Sequence, residues 1–299
     1  MKIQTPSEKK IIRFANVIAK KELGDLEQVI GYSSTIFMIF GLPTQKLLEG
    51  QKQWVRENKK YAFTLTQIHK DFDIPYGCYA RMNQIFIDTE VKTKNTNVIN
   101  LGNTFNEYIK KIGYHEGYAY RGVKTQLSNL IRCAIGITAK TAHADVGIQT
   151  LVGRKWFITL DEHSPDHPEL FQSQITLDDV YADFIRKHAA PLDMEVIRFF
   201  NRNPHGLDFY RFLAYRNNNL SKPIVIPEGD LFDQLGACSE NTKMLKLRSK
   251  EILRQIQAYW SVNAKFEDGY FHLFPSPPAV RQKKSLSGPS RIVYNPVEK

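Results

Sequence analysis

The same order of patterns recurs twice along the chain: an apolar helix, a short extended stretch, a second helix, a long helix with one basic side, and two strand-like stretches. Two such orders in tandem are harder to produce by accident than one, and the pair narrows the folds open to the chain. In the first, the turn signal Ile74-Pro75-Tyr76-Gly77 precedes 80–91, where Met82, Ile85, Phe86 and Thr89 share a helical side. Residues 96–101 form an extended piece, and Asn103 caps a helix to residue 112 that buries Phe105, Tyr108, Ile109 and Ile112 and stops at Gly113. The stretch 117–135 follows. At about 100° per residue, Val123, Leu127, Leu130, Ile131 and Ala134 fall on one side of it, a face fit for a core. Arg121, Lys124, Thr125, Ser128 and Arg132 project from the other, with Asn129 at the margin. None is acidic, and these are residue types that bond phosphates and base edges. Residues 134–141 and 149–160 then read as a two-stranded ribbon, with Arg154 and Lys155 directed at neighbouring phosphates.

In the second order, Leu207, Tyr210, Phe212, Leu213 and Ala214 mark a helix, 223–226 a short strand, and Pro227 the first position of a helix ending near Gly236. Along 242–260, Ile252, Leu253, Ile256, Tyr259 and Trp260 cluster, while Lys243, Lys246, Lys250 and Arg254 form a basic stripe beside them. A hairpin closes the order: 262–266, the turn Glu267-Asp268-Gly269, and 270–274. For both basic helices a solvated surface is the plain alternative, and the tandem recurrence favours a polyanion instead.

Helix, strand, helix, basic helix and ribbon is the order of a winged helix-turn-helix, whose last helix enters the major groove. The expected fold class is therefore α+β: two tandem winged helix-turn-helix domains, 31–165 and 166–278, after an N-terminal helical extension (1–30) and before a basic flexible tail (279–299). In the extension, Ser7 caps a helix over 7–23 with Ile11, Ile12, Ala15, Ile18 and Ala19 at helical spacing. Residues 32–39 and 61–65 read as extended, 47–58 as helix or loop, and 175–188 as mostly helical. The tail carries Arg281, Lys283, Lys284 and Arg291 with few core formers.

Bulk properties agree with a soluble nucleic-acid binder. The 299 residues suffice for two modest cores, and a net charge of +10 with a pI near 9.3 calls for a polyanionic partner, nucleic acid or an anionic membrane surface. Cys78, Cys133 and Cys238 lie far apart without a CxxC pair, which points to a reducing cytoplasm rather than to disulfides or a zinc ribbon. The most apolar run, STIFMIFGL over 34–42, is far shorter than the ~20 residues of a membrane-spanning helix and is placed too late for a signal peptide.

The ordered residues resemble the RepA family of plasmid-encoded replication initiators over roughly 32–278. Gly41-Leu42-Pro43, Trp54 with Arg56 and Asn58, Thr64-Leu65, Ile74-Pro75-Tyr76-Gly77, Arg81, Thr89-Glu90 with Thr93-Lys94, Leu101-Gly102, and Arg121-Gly122 leading into Leu127 carry the first part. Pro191-Leu192-Asp193, Leu207-Asp208 with Tyr210, Tyr215-Arg216 and Phe274-Pro275-Ser276-Pro277-Pro278 continue it. The resemblance implies a non-enzymatic initiator that binds repeated double-stranded sites, iterons, at a plasmid origin. It also implies opening of adjacent A+T-rich DNA, recruitment of host initiator and replicative helicase, and a homodimer as the form that does not start replication.

Three rivals stand beside this reading. An origin-nicking enzyme would need a metal, for which Asp161, Glu162, His163, Asp166 and His167 are candidates; Pro165 and Pro168 mark that stretch as a loop, and its histidines lack the His-apolar-His arrangement of that class. No GxxxxGKS/T loop is present, so no nucleotide cofactor is expected. A winged-helix transcriptional repressor shares the architecture, and only the site bound and the opening of the duplex separate it from an initiator. A membrane anchor built on the basic tail is disfavoured by the sparse apolar content of 281–290.

Overall fold

The computed structural model describes residues 12, 14, 16, 17, 19, 20, 28–114, 117–140, 144–158, 173–236 and 242–280. Over these residues the chain is α+β. The first half runs β1 (Ile30–Ser34), α1 (Thr35–Ile39), β2 (Gln53–Glu57), β3 (Tyr61–Gln67), α2 (Gly77–Lys94), β4 (Val98–Gly102), α3 (Phe105–Lys111) and α4 (Tyr118–Ile131). It continues through β5 (Cys133–Lys140), β6 (Asp145–Leu151), β7 (Gly153–Phe157) and β8 (Ser173–Leu177). Then α5 (Asp179–His188), β9 (Ala189–Asp193) and α6 (Met194–Phe199) lead into α7 (Pro204–Asn217), β10 (Ile224–Pro227), α8 (Glu228–Gln234), α9 (Thr242–Tyr259), β11 (Ala264–Glu267) and β12 (Tyr270–Leu273).

Two three-stranded sheets have the same order, β4-β8-β7 and β10-β12-β11. In each, the strand between the first two helices pairs with the last strand, which pairs in turn with the strand just before it; β11 directly follows the long helix α9, whereas β5 and β6 intervene between α4 and β7. Local chemistry accounts for much of this. Glu267 faces Tyr270 across a two-residue turn in which Asp268 and Gly269 have φ of 48° and 82°, the left-handed pair that a twisted hairpin requires. Thr104 Oγ1 accepts from the Glu107 amide at 3.2 Å and Glu107 Oε2 accepts from the Asn103 amide at 3.0 Å, so Thr104, not Asn103, is the cap of α3.

Several expectations are corrected by long-range pairing. Residues 134–141 and 149–160 do not form one ribbon: β5 pairs with β6 and β3 in a separate four-stranded sheet, β2-β3-β5-β6, and the chain changes sheet at buried Val152 before β7 joins β8. The stretch 47–58, expected as helix or loop, contains strand β2, held in register from Gln53↔Thr66 to Glu57↔Ala62. Residues 32–39 are extended only to Ser34, where helix α1 begins, and 175–188 begins as strand β8 before α5. Within the helix expected over 7–23 the described residues are helical, but Ile12 is exposed and Phe14 is the buried one, stacked 4.2 Å from Phe199 and 4.8 Å from Tyr259. Ser7, Ile11, Ala15, Ile18, Cys238 and the basic tail positions Arg281, Lys283, Lys284 and Arg291 lie outside the described residues.

One buried cluster runs from Phe14 to Leu273 through both halves. Several polar groups enclosed in it are paired across elements. Arg211 on α7 donates to Gln84 Oε1 on α2 and to the Phe37 carbonyl, each at 2.7 Å, and Asp88 accepts from the Ser34 amide at 2.5 Å. The same region binds the strand pair β1–β9, from Ile30↔Asp193 to Ser34↔Ala189.

Candidate nucleic-acid interface

Helix α4 is seated by its dry side and by two buried amides. Val123, Leu127, Leu130 and Ile131 are fully buried, as the periodicity requires. Asn83 on α2 donates to the Val123 carbonyl at 3.1 Å and accepts from Tyr108 on α3 at 2.6 Å, so the three helices share one polar contact. Gln126 Oε1 accepts from the Tyr76 amide at 2.8 Å. At Gly122 the helices nearly touch: a Cβ there would lie 2.4 Å from the Tyr79 ring.

The opposite side presents Arg121 and Thr125 to solvent, with Lys124 and Ser128 half-buried. Lys124 Nζ lies 5.7 Å from the Tyr120 ring centre. Two neighbours differ from expectation. Asn129, placed by spacing at the margin of this face, is only 2% exposed, because the helix sinks deeper into the unit than its own periodicity reveals. Arg132 is held between the rings of Phe72 and Trp156, at 4.3 and 4.4 Å, and donates to the Ser128 carbonyl at 3.2 Å. Burial pulls its pKa below the usual guanidinium value. It braces α4 against β7 and the 67–73 loop, and only part of it faces outward.

On β7, Arg154 and Lys155 are exposed. Arg154 lies 2.9 Å from Asp179, both side chains more than 60% exposed, an ion pair that solvent weakens and a phosphate can displace. The change of sheet at Val152 places both residues on the strand following α4 in the three-stranded sheet, rather than on a ribbon with β5.

Helix α9 buries Leu245, Ser249, Ile252, Leu253 and Ile256. His205 on α7 lies 2.7 Å from Ser249 Oγ, a buried contact that fixes the two helices' positions. Of the basic stripe, Lys243, Lys250 and Arg254 are exposed. Arg254 makes two contacts with Glu251, at 3.0 and 2.9 Å, and this pairing raises its pKa while lowering that of Glu251. Lys246 is set apart: its ammonium lies 2.7 Å from Glu228 at the start of α8, whose side chain is 14% exposed. Lys246 therefore ties the two helices together as well as adding charge. Met244 and Leu247, apolar residues that the basic spacing of α9 does not mark, lie on its outer side and are 45% and 62% exposed.

Among the described residues no group of three or more His, Cys, Asp or Glu side chains is placed to hold a metal. The proposed ligands Asp161, Glu162, His163, Asp166 and His167 lie outside them. Nor is any described helix long and apolar enough to cross a membrane.

Across residues 74–224, just over half of the chain, the sequence matches the family described as plasmid encoded RepA protein. The chain belongs to the plasmid-encoded RepA family. Many of the residues that carry the RepA resemblance lie away from the basic helices. Arg81 and Asp208 meet in the buried junction, the Trp54 indole donates to the Gly41 carbonyl at 3.1 Å, and Ser276 accepts at its hydroxyl from the Asn263 amide at 2.8 Å. Among solved structures, this RepA-family chain is similar to selenomethionine derivatives of domains 2 and 3 of RctB. The TM-score is 0.50 at 10% identity, over 83% of this chain and 97% of that one. A second structure of RctB domains 2–3 gives a TM-score of 0.46 at 9% identity, over 78% of this chain and 95% of that one. The first of these is a likeness of fold. No curated protein matches the sequence.

Proposed function

We propose that the protein is a plasmid replication initiator, a non-enzymatic and sequence-specific binder of double-stranded DNA built from two tandem winged helix-turn-helix units. The observation that carries this reading is the correspondence between the sheets β4-β8-β7 and β10-β12-β11, each associated with a long helix that turns basic residues outward, in a chain of the plasmid-encoded RepA family. The boundary expected from the sequence, 31–165 and 166–278, moves: β8 (Ser173–Leu177) completes the sheet of the first unit by pairing with β4 and β7, so that unit runs at least to Leu177 and the second follows, to 278.

In this mechanism α9 enters a major groove with Lys243, Lys246, Lys250 and Arg254, and α4 engages the adjoining groove or backbone with Arg121, Lys124, Thr125 and Ser128. Arg132 contributes its outward edge, Asn129 shapes the helix from within, and Arg154 and Lys155 on β7 hold flanking phosphates. Strong burial at the junction between the halves keeps the two reading helices in a fixed relation, which suits repeated sites of constant length. Opening of adjacent A+T-rich DNA draws on binding several iterons together and bending them, without nucleotide hydrolysis. Host initiator and replicative helicase are the partners this activity requires, and a homodimer is the inactive form.

The test is footprinting of the purified chain on DNA surrounding its own gene, at several salt concentrations, with permanganate reporting unpaired thymines. Protection of repeated sites with reactive thymines beside them is the expected result. Protection of a promoter alone would make the protein a repressor, and strand cleavage on addition of a divalent metal would overturn the non-enzymatic reading.

A further inference from the structure

On α9 the side directed furthest from the core carries a leucine, with the cation Arg254 about 20° away on the same crest. Counting about 100° per residue from Lys243, the buried residues Leu245, Ser249, Ile252, Leu253 and Ile256 centre near 220°, so the outward direction lies near 40°. Leu247 falls at about 40°, one turn from Lys243 and one turn from Lys250. It is 62% exposed, and Met244, one turn before it, is 45% exposed. A single exposed leucine is commonplace on a protein surface. Here the leucine occupies the crest of a basic ridge, flanked by the charges that would draw the helix into a groove, and its apolar neighbour enlarges the patch.

We infer that Leu247 is a base-reading residue that packs against the 5-methyl group of thymine, with Met244 bordering the contact. The inference rests on α9 being the helix that enters the major groove. Within that groove the thymine methyl is the one apolar group that an ordinary base pair presents, and it distinguishes T·A from every other pair by shape and dryness rather than by hydrogen bonding. The four cations of the stripe serve affinity, since attraction to phosphate carries no sequence information. Leu247 adds discrimination at the centre of the contact. Glu251, one turn further on, is paired with Arg254 and also accepts from Gln255 at 2.9 Å.

The experiment uses the full chain and the duplex protected in footprinting, with each thymine replaced singly by deoxyuridine, which removes the methyl and leaves the hydrogen-bonding edge intact. Wild-type affinity should fall about three- to tenfold at one or two positions, the factor that burying a methyl group supports. Leu247→Ala should lose a similar factor on the thymine duplex and lose nothing more on the uracil duplex. Leu247→Met, which keeps an apolar tip, should retain part of the preference. A wild-type protein indifferent to every replacement, or an L247A protein with the full thymine preference intact, would overturn the inference while leaving DNA binding in place. Failure to protect any specific duplex would instead remove the DNA-binding reading on which it stands.

Discussion

Arg81 on α2 and Asp208 on α7 form an ion pair with both side chains essentially sealed from solvent, 0% and 1% exposed, joining the two helices that open the recurring helix–strand–helix order in each half. Arg81 Nε lies 2.9 Å from Oδ1, and its second terminal nitrogen meets Oδ2. The remaining donors are used on the carbonyls of Leu42, Pro43 and Gly77. Arg211 adds a second cation 2.8 Å from Oδ1. Desolvating three charges is offset only while each stays paired.

Removing the shared anion leaves two buried guanidinium groups facing each other. Asp208→Asn should therefore destabilise the chain by about 3–5 kcal/mol, the usual consequence of breaking a buried pair on one side. Urea unfolding followed by tryptophan fluorescence measures this. A loss below about 1 kcal/mol, typical of exposed pairs, would show that the junction does not depend on Asp208.

Steric closeness at the same junction makes a second prediction. A Cβ on Gly41 would lie 2.3 Å from the Leu235 carbonyl oxygen and 2.5 Å from Asp208, and a backbone atom cannot swing aside. Gly41→Ala should destabilise by at least about 2 kcal/mol. At Gly122 the obstacle is the Tyr79 side chain, which can rotate, so Gly122→Ala should be milder. Comparing the two melting midpoints tests the ranking; equal losses would contradict it.

Acidity supplies a third. Burial pushes the Asp88 carboxyl up to about 7, against hydrogen bonds from Ser34 and Gln84 and the charge of Arg211. An unfolded aspartate titrates at about 3.9. Between these values the folded chain holds a proton that the unfolded chain releases, so this contribution is greatest in acid, falls as pH rises through the window, and is level above about 7. His205, lowered to about 4 by burial, acts with the opposite sign in the more acidic part of the same window. Asp88→Asn removes only the first effect. Wild-type stability relative to the variant should rise as pH drops from 8 to 5; parallel curves would exclude it.

Charge reversal separates the cations of α9. Lys250→Glu should leave the melting midpoint nearly unchanged while weakening DNA binding, and neutralising it should reduce the slope of log affinity against log salt by about 0.9. Lys246→Glu faces Glu228 and should also lower stability, by about 1–2 kcal/mol. Identical melting midpoints for the two reversals would contradict the Lys246–Glu228 contact.

Local order was legible in the sequence where a few neighbouring residues decide it. The apolar spacing of α4, α7 and α9, the Asp268-Gly269 turn and the recurring helix–strand–helix–helix order needed no partner from elsewhere in the chain. The four-stranded sheet was not legible: β2 looks like helix or loop until β3 pairs with it, and β5 joins β3 across residues 68–132. Sequence spacing likewise set Arg121, Lys124, Arg132 and Asn129 on or near one face of a helix. Tertiary packing decided which of them remain available, since Phe72 and Trp156 close over Arg132 and the unit's interior receives Asn129. Periodicity fixes a residue's direction about its own helix, whereas exposure depends on what other segments bring against it, and those segments are distant in sequence.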